Sequence, residues 1–187
     1  MRRYSLLVLA PLMTAITVVL GLMPPIPMPF GVPITLQTLG VMLAGLVLGA
    51  AGGGLSQVLL LLLVAVGAPV LAGGKGGLAV FAGPTAGYLI GWAPAALVTG
   101  LIAGKGALTL PRALIAAVIG GVGVVYLFGI PWTAWNVQIP LWVAAKGALV
   151  FVPLDLVKAV AAAAIALPVR RAVAAAGLLP SSTNRSV

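Results

Sequence analysis

Asp155 is the only acidic residue in this chain of 187, and Lys158 follows it three positions later in the apolar run from Leu154 to Leu167. Residues at i and i+3 share one face of a helix, so this spacing presents a carboxylate and an ammonium group side by side. A charge at the centre of a bilayer costs about 3 kcal/mol or more, and such residues usually face a cavity and act there. Two readings fit the pair: an ion pair in which each charge neutralises the other, and a ligand site that the resting pair opens to receive. A second polar group stands at Thr35, Gln37 and Thr38. The Gln37 amide suits a ligand, and it suits equally the role of a hydrogen-bonding bridge between helices. Gln57 reads as a packing or turn residue. Gly73, Gly74, Gly76 and Gly77 form a loop whose backbone N–H groups can come close to a ligand. Lys75 lies among these glycines, near the expected mouth of a cavity, and Tyr88 offers a hydroxyl group further along.

The same inventory excludes most catalysis. The chain has no Cys and no His, so it lacks the parts of a Ser-His-Asp site, a His/Cys zinc site and a disulfide framework. A single acid rules out paired carboxylates. Gly73-Gly74-Lys75-Gly76 and Gly104-Lys105-Gly106 resemble a phosphate-binding loop only superficially. Both lack the earlier Gly at the required spacing and the Ser/Thr after Lys. No enzyme, cofactor or metal site is expected. The net charge of +9 comes from cations scattered singly or in pairs between apolar stretches, which is no footprint for nucleic acid.

The elements that must position these residues are membrane spans. The chain is 63% hydrophobic and 6% charged, whereas soluble domains carry about 25% charged residues. With a span needing roughly 20 apolar residues, the sequence predicts an all-α, polytopic bundle of six transmembrane helices forming one membrane domain. The spans fall at about 5–23, 34–50, 55–71, 80–103, 111–128 and 153–176. Gly52, Gly53 and Gly54 are expected to turn the chain between spans two and three. The segment 129–140, with Pro131, Trp132, Trp135 and Asn136, reads as an interfacial loop with aromatic anchors. The segment 141–152 is short, or part of a kinked last span. Pro24, Pro25, Pro27 and Pro29 follow the first span where a signal peptide would carry a cleavage site, so that span reads as retained.

With both termini in the cytoplasm, Arg2, Arg3, Lys105, Arg112, Arg170, Arg171 and Arg185 lie inside, and only Lys75 and Lys146 lie outside, as the positive-inside rule favours. Small residues recur at four-residue spacing at Gly45 and Gly49, at Gly83, Gly87 and Gly91, and at Gly100 and Gly104. They read first as intramolecular packing and second as a partner-docking face. No internal repeat of the kind that marks autonomous carriers is visible.

Three segments, in order, resemble the BioY family, the biotin-specific S components of energy-coupling-factor (ECF) transporters. They are Val32-Pro33-Ile34-Thr35-Leu36-Gln37-Thr38, Ala72 to Gly77 followed by Phe81 to Gly91, and Val152-Pro153-Leu154-Asp155-Leu156-Val157-Lys158. The likeness spans about Leu6 to Pro168. Leu154 departs from the family's usual Gly and adds bulk beside Asp155, Ala86 also stands where a Gly is usual, and the tail after Arg171 has no counterpart. The resemblance implies a high-affinity biotin-binding subunit of the bacterial cell membrane. Such a subunit binds biotin from outside and delivers it inward with a membrane coupling protein and two ATPases. It implies a substrate site at Asp155, Lys158, Gln37, Thr35, Gly73, Gly74 and Tyr88. Asp155 suits the ureido N–H groups, and Lys158 or Lys75 suits the ligand carboxylate. It also adds weight to a docking face for the coupling protein on span one, where Ala10 and Thr14 are four apart and Ala15 lies beside them. The alternatives are a stand-alone proton-coupled carrier that titrates Asp155 and a structural membrane protein without a ligand.

Overall fold

A computed structural model describes residues 2–178. Arg185 and the rest of the tail beyond residue 178 lie outside the described residues. The helices are α1 (Arg2–Gly21), α2 (Gln37–Ala65), α3 (Ala86–Ala103), α4 (Leu110–Ala116), α5 (Val125–Val137), α6 (Leu141–Ala148) and α7 (Val152–Ala175). A π-helical stretch, Ala117–Val124, joins α4 to α5 in one continuous rod. Among the described residues, extended pairing is limited to isolated bridges between Ile26 and Ile34 and between Leu71 and Lys75.

The chain reverses inside α2. Gly49 has φ 74° and ψ −173°, a region that essentially only glycine occupies. An ideal Cβ on Gly53 would lie 2.8 Å from the Gly45 Cα, although residues eight apart on a straight helix are separated by about 12 Å. The two arms, 37–48 and 50–65, therefore run antiparallel, and the turn is Gly49 rather than the expected Gly52 to Gly54. Those three glycines sit inside the second arm, where the small size of Gly52 and Gly53 lets the arms close on each other. Counting both arms and the rod Leu110–Val137 as one, six long helices run between two ends of the bundle. The loops 22–36, 66–85 and 138–151 share one end, hereafter the loop end. The Gly49 turn, the connection 104–109 and the last turn of α7 share the other, the turn end.

Every residue from 40 to 48 is buried, so the first arm of α2 forms the centre of the bundle. Neighbouring helices present small side chains to it. On α7, Ala159, Ala162, Ala163 and Ala166 are buried beyond Asp155 and Lys158, while Leu156, Val157, Val160 and Ile165 face outward. Large side chains outside and small ones inside is the pattern of helices that pack closely in lipid. Ala86–Ala103, Leu110–Val137 and Val152–Ala175 are long and apolar enough to cross a membrane, Gln37–Ala65 is equally apolar but divided at Gly49 into two shorter arms, and Leu6–Gly21 is a shorter apolar helix.

The segment expected as an interfacial loop, 129–140, is instead helical through Val137. The reason lies across the bundle. The carbonyls of residues 82–84, in the turn ahead of α3, take side-chain donors from α5. Trp132 Nε1 donates to the Gly83 carbonyl at 2.9 Å, Thr133 Oγ1 to Pro84 at 2.9 Å and Asn136 Nδ2 to Ala82 at 2.7 Å. Trp132 and Asn136, which looked like interface anchors, are helix-borne donors, while Trp135 stays exposed. Helix also ends earlier than expected at Ala65, and only a short 3-10 turn, Leu78–Ala82, precedes α3. The expected short segment 141–152 contains α6, which is too short to cross a bilayer.

Ala10 and Thr14 do not present an outward face. Ala10 is fully buried, and Thr14 Oγ1 donates to the carbonyls of Ala10 at 3.0 Å and Ser56 at 2.7 Å. This small-residue contact locks α1 onto the second arm of α2. The opposite side of α1, with Val8, Pro11, Leu12 and Ala15, is exposed.

Candidate ligand-binding site

Pro153 lies in the first turn of α7, where its fixed φ suits helix initiation and its missing N–H would have been unpaired anyway. Asp155 and Lys158 follow on the inward face and are both buried. Lys158 Nζ lies 2.8 Å from Asp155 Oδ1. Thr38, one residue into the first arm of α2, closes the network. Lys158 donates to Thr38 Oγ1 at 3.0 Å, and Thr38 donates to Asp155 Oδ1 at 3.4 Å. From α5, the Tyr126 hydroxyl donates to Asp155 Oδ2 at 2.7 Å. Three helices thus converge on one carboxylate.

The network is satisfied but not saturated. An ionised carboxylate offers about four acceptor sites and an ammonium three donors. Asp155 receives three hydrogen bonds and Lys158 gives two. Each retains capacity toward a ligand, and the carboxylate gains more if Lys158 or Thr38 swings away.

These groups line a cavity of about 100 Å³ at the loop end, together with Thr35, Gln37, Lys75 and Tyr88. Its floor is aromatic. The Tyr88 and Tyr126 rings meet edge to face, 6.3 Å between centroids and 81° between planes. Trp92 is buried, lines the same cavity, and has an indole N–H without a hydrogen-bond partner. At the loop end above, Phe30, held at φ 62°, rests its ring against Gly147 of α6.

The sequence-predicted residues occupy different stations around this cavity. Asp155 and Lys158 form its charged centre, and Thr35 and Tyr88 line its wall. Gln37 lines it too, but its amide is engaged: Nε2 donates to the Val70 carbonyl at 3.1 Å and to the Thr17 carbonyl at 3.5 Å, and Oε1 accepts from the Ala72 N–H at 3.1 Å. Gln37 ties α1 and the loop 66–78 to the start of α2. Gly73 and Gly74 stand outside the lining. Both have positive φ, 75° and 69°, and shape the turn that carries Lys75 to the rim. Leu154 points away from the cavity and is exposed, so its bulk does not narrow the rim. Sequence reasoning passed over Tyr126 and Trp92 and left Thr38 out of the site. The available signal was polarity at span depth: a tyrosine just after a glycine-rich stretch and a tryptophan in the middle of a span.

Comparison with known proteins bears on the family and the fold. The family model described as "BioY family" matches residues 2–175. The chain is 48% identical over 165 residues to "Biotin transporter BioY" of Rhizobium etli, covering 84% of this chain and 88% of that protein. It is 50% identical over 167 residues to the protein of the same name from Rhodobacter capsulatus, covering 83% and 87%. A solved structure described as "Crystal structure at 2.1 A of the S-component for biotin from an ECF-type ABC transporter" superposes with a TM-score of 0.83 at 34% identity, covering 90% of this chain and 92% of that one. On a match across nearly its whole length, in sequence and in fold, this multi-pass membrane chain belongs to the BioY family.

Proposed function

We propose that the chain binds biotin in the loop-end cavity and is the substrate-binding subunit of an ATP-driven importer. Its family is one of transporters, so the chain is a transport protein of the cell membrane and not an enzyme. The observation that carries the reading is the buried Asp155–Lys158–Thr38–Tyr126 network facing an aromatic-walled cavity. A cyclic urea presents two N–H donors and one carbonyl. Asp155 accepts from the N–H groups, Lys158 donates to the carbonyl, and the tyrosines and Trp92 pack against the bicyclic rings. Lys75, exposed on the rim, meets the carboxylate of the acyl tail. The cavity closes to about 100 Å³ around the resting ion pair, and biotin enters as the pair and the loops above it part.

An ATP-driven cycle needs other subunits to hydrolyse the ATP, because this sequence contains no phosphate-binding loop. A membrane coupling protein and two ATPases supply it. With Ala10 and Thr14 buried, the coupling protein meets the exposed side of α1 around Pro11, Leu12 and Ala15. Both termini and the turn end lie in the cytoplasm and the cavity opens outside, as the distribution of cations favours. The test is mass spectrometry of ligand extracted from the purified chain, coupled to uptake assays in cells with and without the ATPases. Biotin in the extract and uptake only with the ATPases is the expected result. Uptake by this chain alone would place it among proton-coupled carriers, and an extract free of biotin after growth on biotin would remove the ligand.

A further inference from the structure

A second cavity, of about 660 Å³, opens at the turn end, remote from the Asp155 network. Its lining includes Lys105, Arg170 and Arg171 as cations and Leu6, Leu101 and Leu178 as apolar wall. Arg112 adds a fourth cation, its guanidinium resting against Gly104 at the cavity edge. No acidic side chain neutralises this cluster, since the sole acid, Asp155, is paired with Lys158 at the other end. Arg170 is largely spoken for. It donates to the carbonyls of Leu46, Gly104 and Gly106, fastening the end of the first α2 arm and the 104–109 connection to α7. Among the described residues, Arg112 spends only its Nε, on the Ile102 carbonyl at 2.7 Å. Lys105 and Arg171 are exposed.

We propose that this cavity is a binding site for the headgroup of an anionic phospholipid. Phosphate is matched by convergent arginine forks and a lysine point charge. Lipid is selected over a free anion by the apolar wall: Leu101 and Leu178 are 61% and 41% exposed beside the cations, a surface for acyl chains that continues into the lipid-facing belt. Basic pockets between transmembrane helices on the cytoplasmic side are where anionic headgroups bind.

Native mass spectrometry of the purified chain in a neutral detergent tests this. Offered phosphatidylglycerol and phosphatidylcholine at equal concentration, the chain is expected to retain phosphatidylglycerol at least about fivefold better, a modest preference for a site of this charge. Lys105→Gln combined with Arg171→Gln abolishes that preference and leaves biotin binding unchanged, while Lys146→Gln at the opposite end leaves the preference intact. Both substituted side chains of the double variant are exposed, so the fold is kept, and the wild-type lipid comparison needs no variant at all. Equal retention of the two lipids by the wild type would overturn the proposal, as would undiminished preference in the double variant. Inorganic phosphate displacing the lipid at low millimolar concentration would make this a free-anion site. Loss of coupling-protein binding in the double variant, with lipid preference kept, would make it a protein contact.

Discussion

Asp155 is positioned by what it holds. Its two oxygens receive three donors from three helices, and those donors differ in what their loss would do. Replacing Asp155 by Asn keeps the shape but exchanges an acceptor for an NH2 donor, which then faces Lys158 or a ligand N–H. Charge-assisted hydrogen bonds are roughly twice as strong as neutral ones. Asp155→Asn is therefore expected to weaken biotin binding at least tenfold, equivalent to about 1.4 kcal/mol. Tyr126→Phe removes one donor that orients the carboxylate and leaves its charge in place, so its loss is expected to stay below about tenfold, read by the same titration. Stability behaves differently. Removing one member of a buried pair strands the other charge, whereas removing both is often neutral. In thermal unfolding, Asp155→Asn with Lys158→Met is expected to melt above Asp155→Asn alone. At this scale the sequence was informative about the pair, because i,i+3 spacing in an apolar run is a local signal. It was silent on Tyr126 and undecided on Gln37, because whether a buried polar side chain meets a ligand or a neighbouring carbonyl depends on contacts dozens of residues away.

At the level of elements, the glycines decide the path of the chain. Periodicity located the helices, but glycine clusters did not reveal which glycine breaks a helix and which one packs. Gly49 breaks α2 because its backbone is in a region closed to other residues, while Gly52 to Gly54 are helical and only Gly52 and Gly53 are close-packed. Gly49→Ala is expected to destabilise the protein by about 1–3 kcal/mol. Gly54→Ala, whose Cβ would meet nothing nearer than 3.7 Å, is expected to be neutral or stabilising, since Gly is about 1 kcal/mol worse than Ala inside a helix. A melting comparison that inverted this order would place the turn at the glycine triplet. The π-helical stretch Ala117–Val124 was equally hidden. Its wider turns shift the register of α5, and Val125 and Tyr126 emerge toward the cavity. For α1, burial separates two roles that spacing merged. Ala10→Trp is expected to disrupt the contact with the second arm of α2 and lower stability. Ala15→Trp is expected to leave folding and biotin binding intact and to abolish co-purification with the coupling protein.

For the whole molecule, the distribution of charge favours one orientation and the distribution of size gives the fold. Cations gather at the turn end, and Lys75 and Lys146 mark the loop end. A chain without Cys accepts a single reporter cleanly. Lys105→Cys is expected to resist a membrane-impermeant maleimide added to intact cells, and Lys146→Cys to react. The reverse pattern would turn the protein over. The proposed transport role depends on the loop-end cavity taking biotin through Asp155. Equilibrium binding of radiolabelled biotin to the purified wild-type chain and to Asp155→Asn, each confirmed folded by its melting transition, tests that most directly. One biotin per wild-type chain, with binding at least about tenfold weaker in the variant, is the expected result. Wild-type and variant proteins that bind biotin equally, or a folded wild type that binds none, would contradict it.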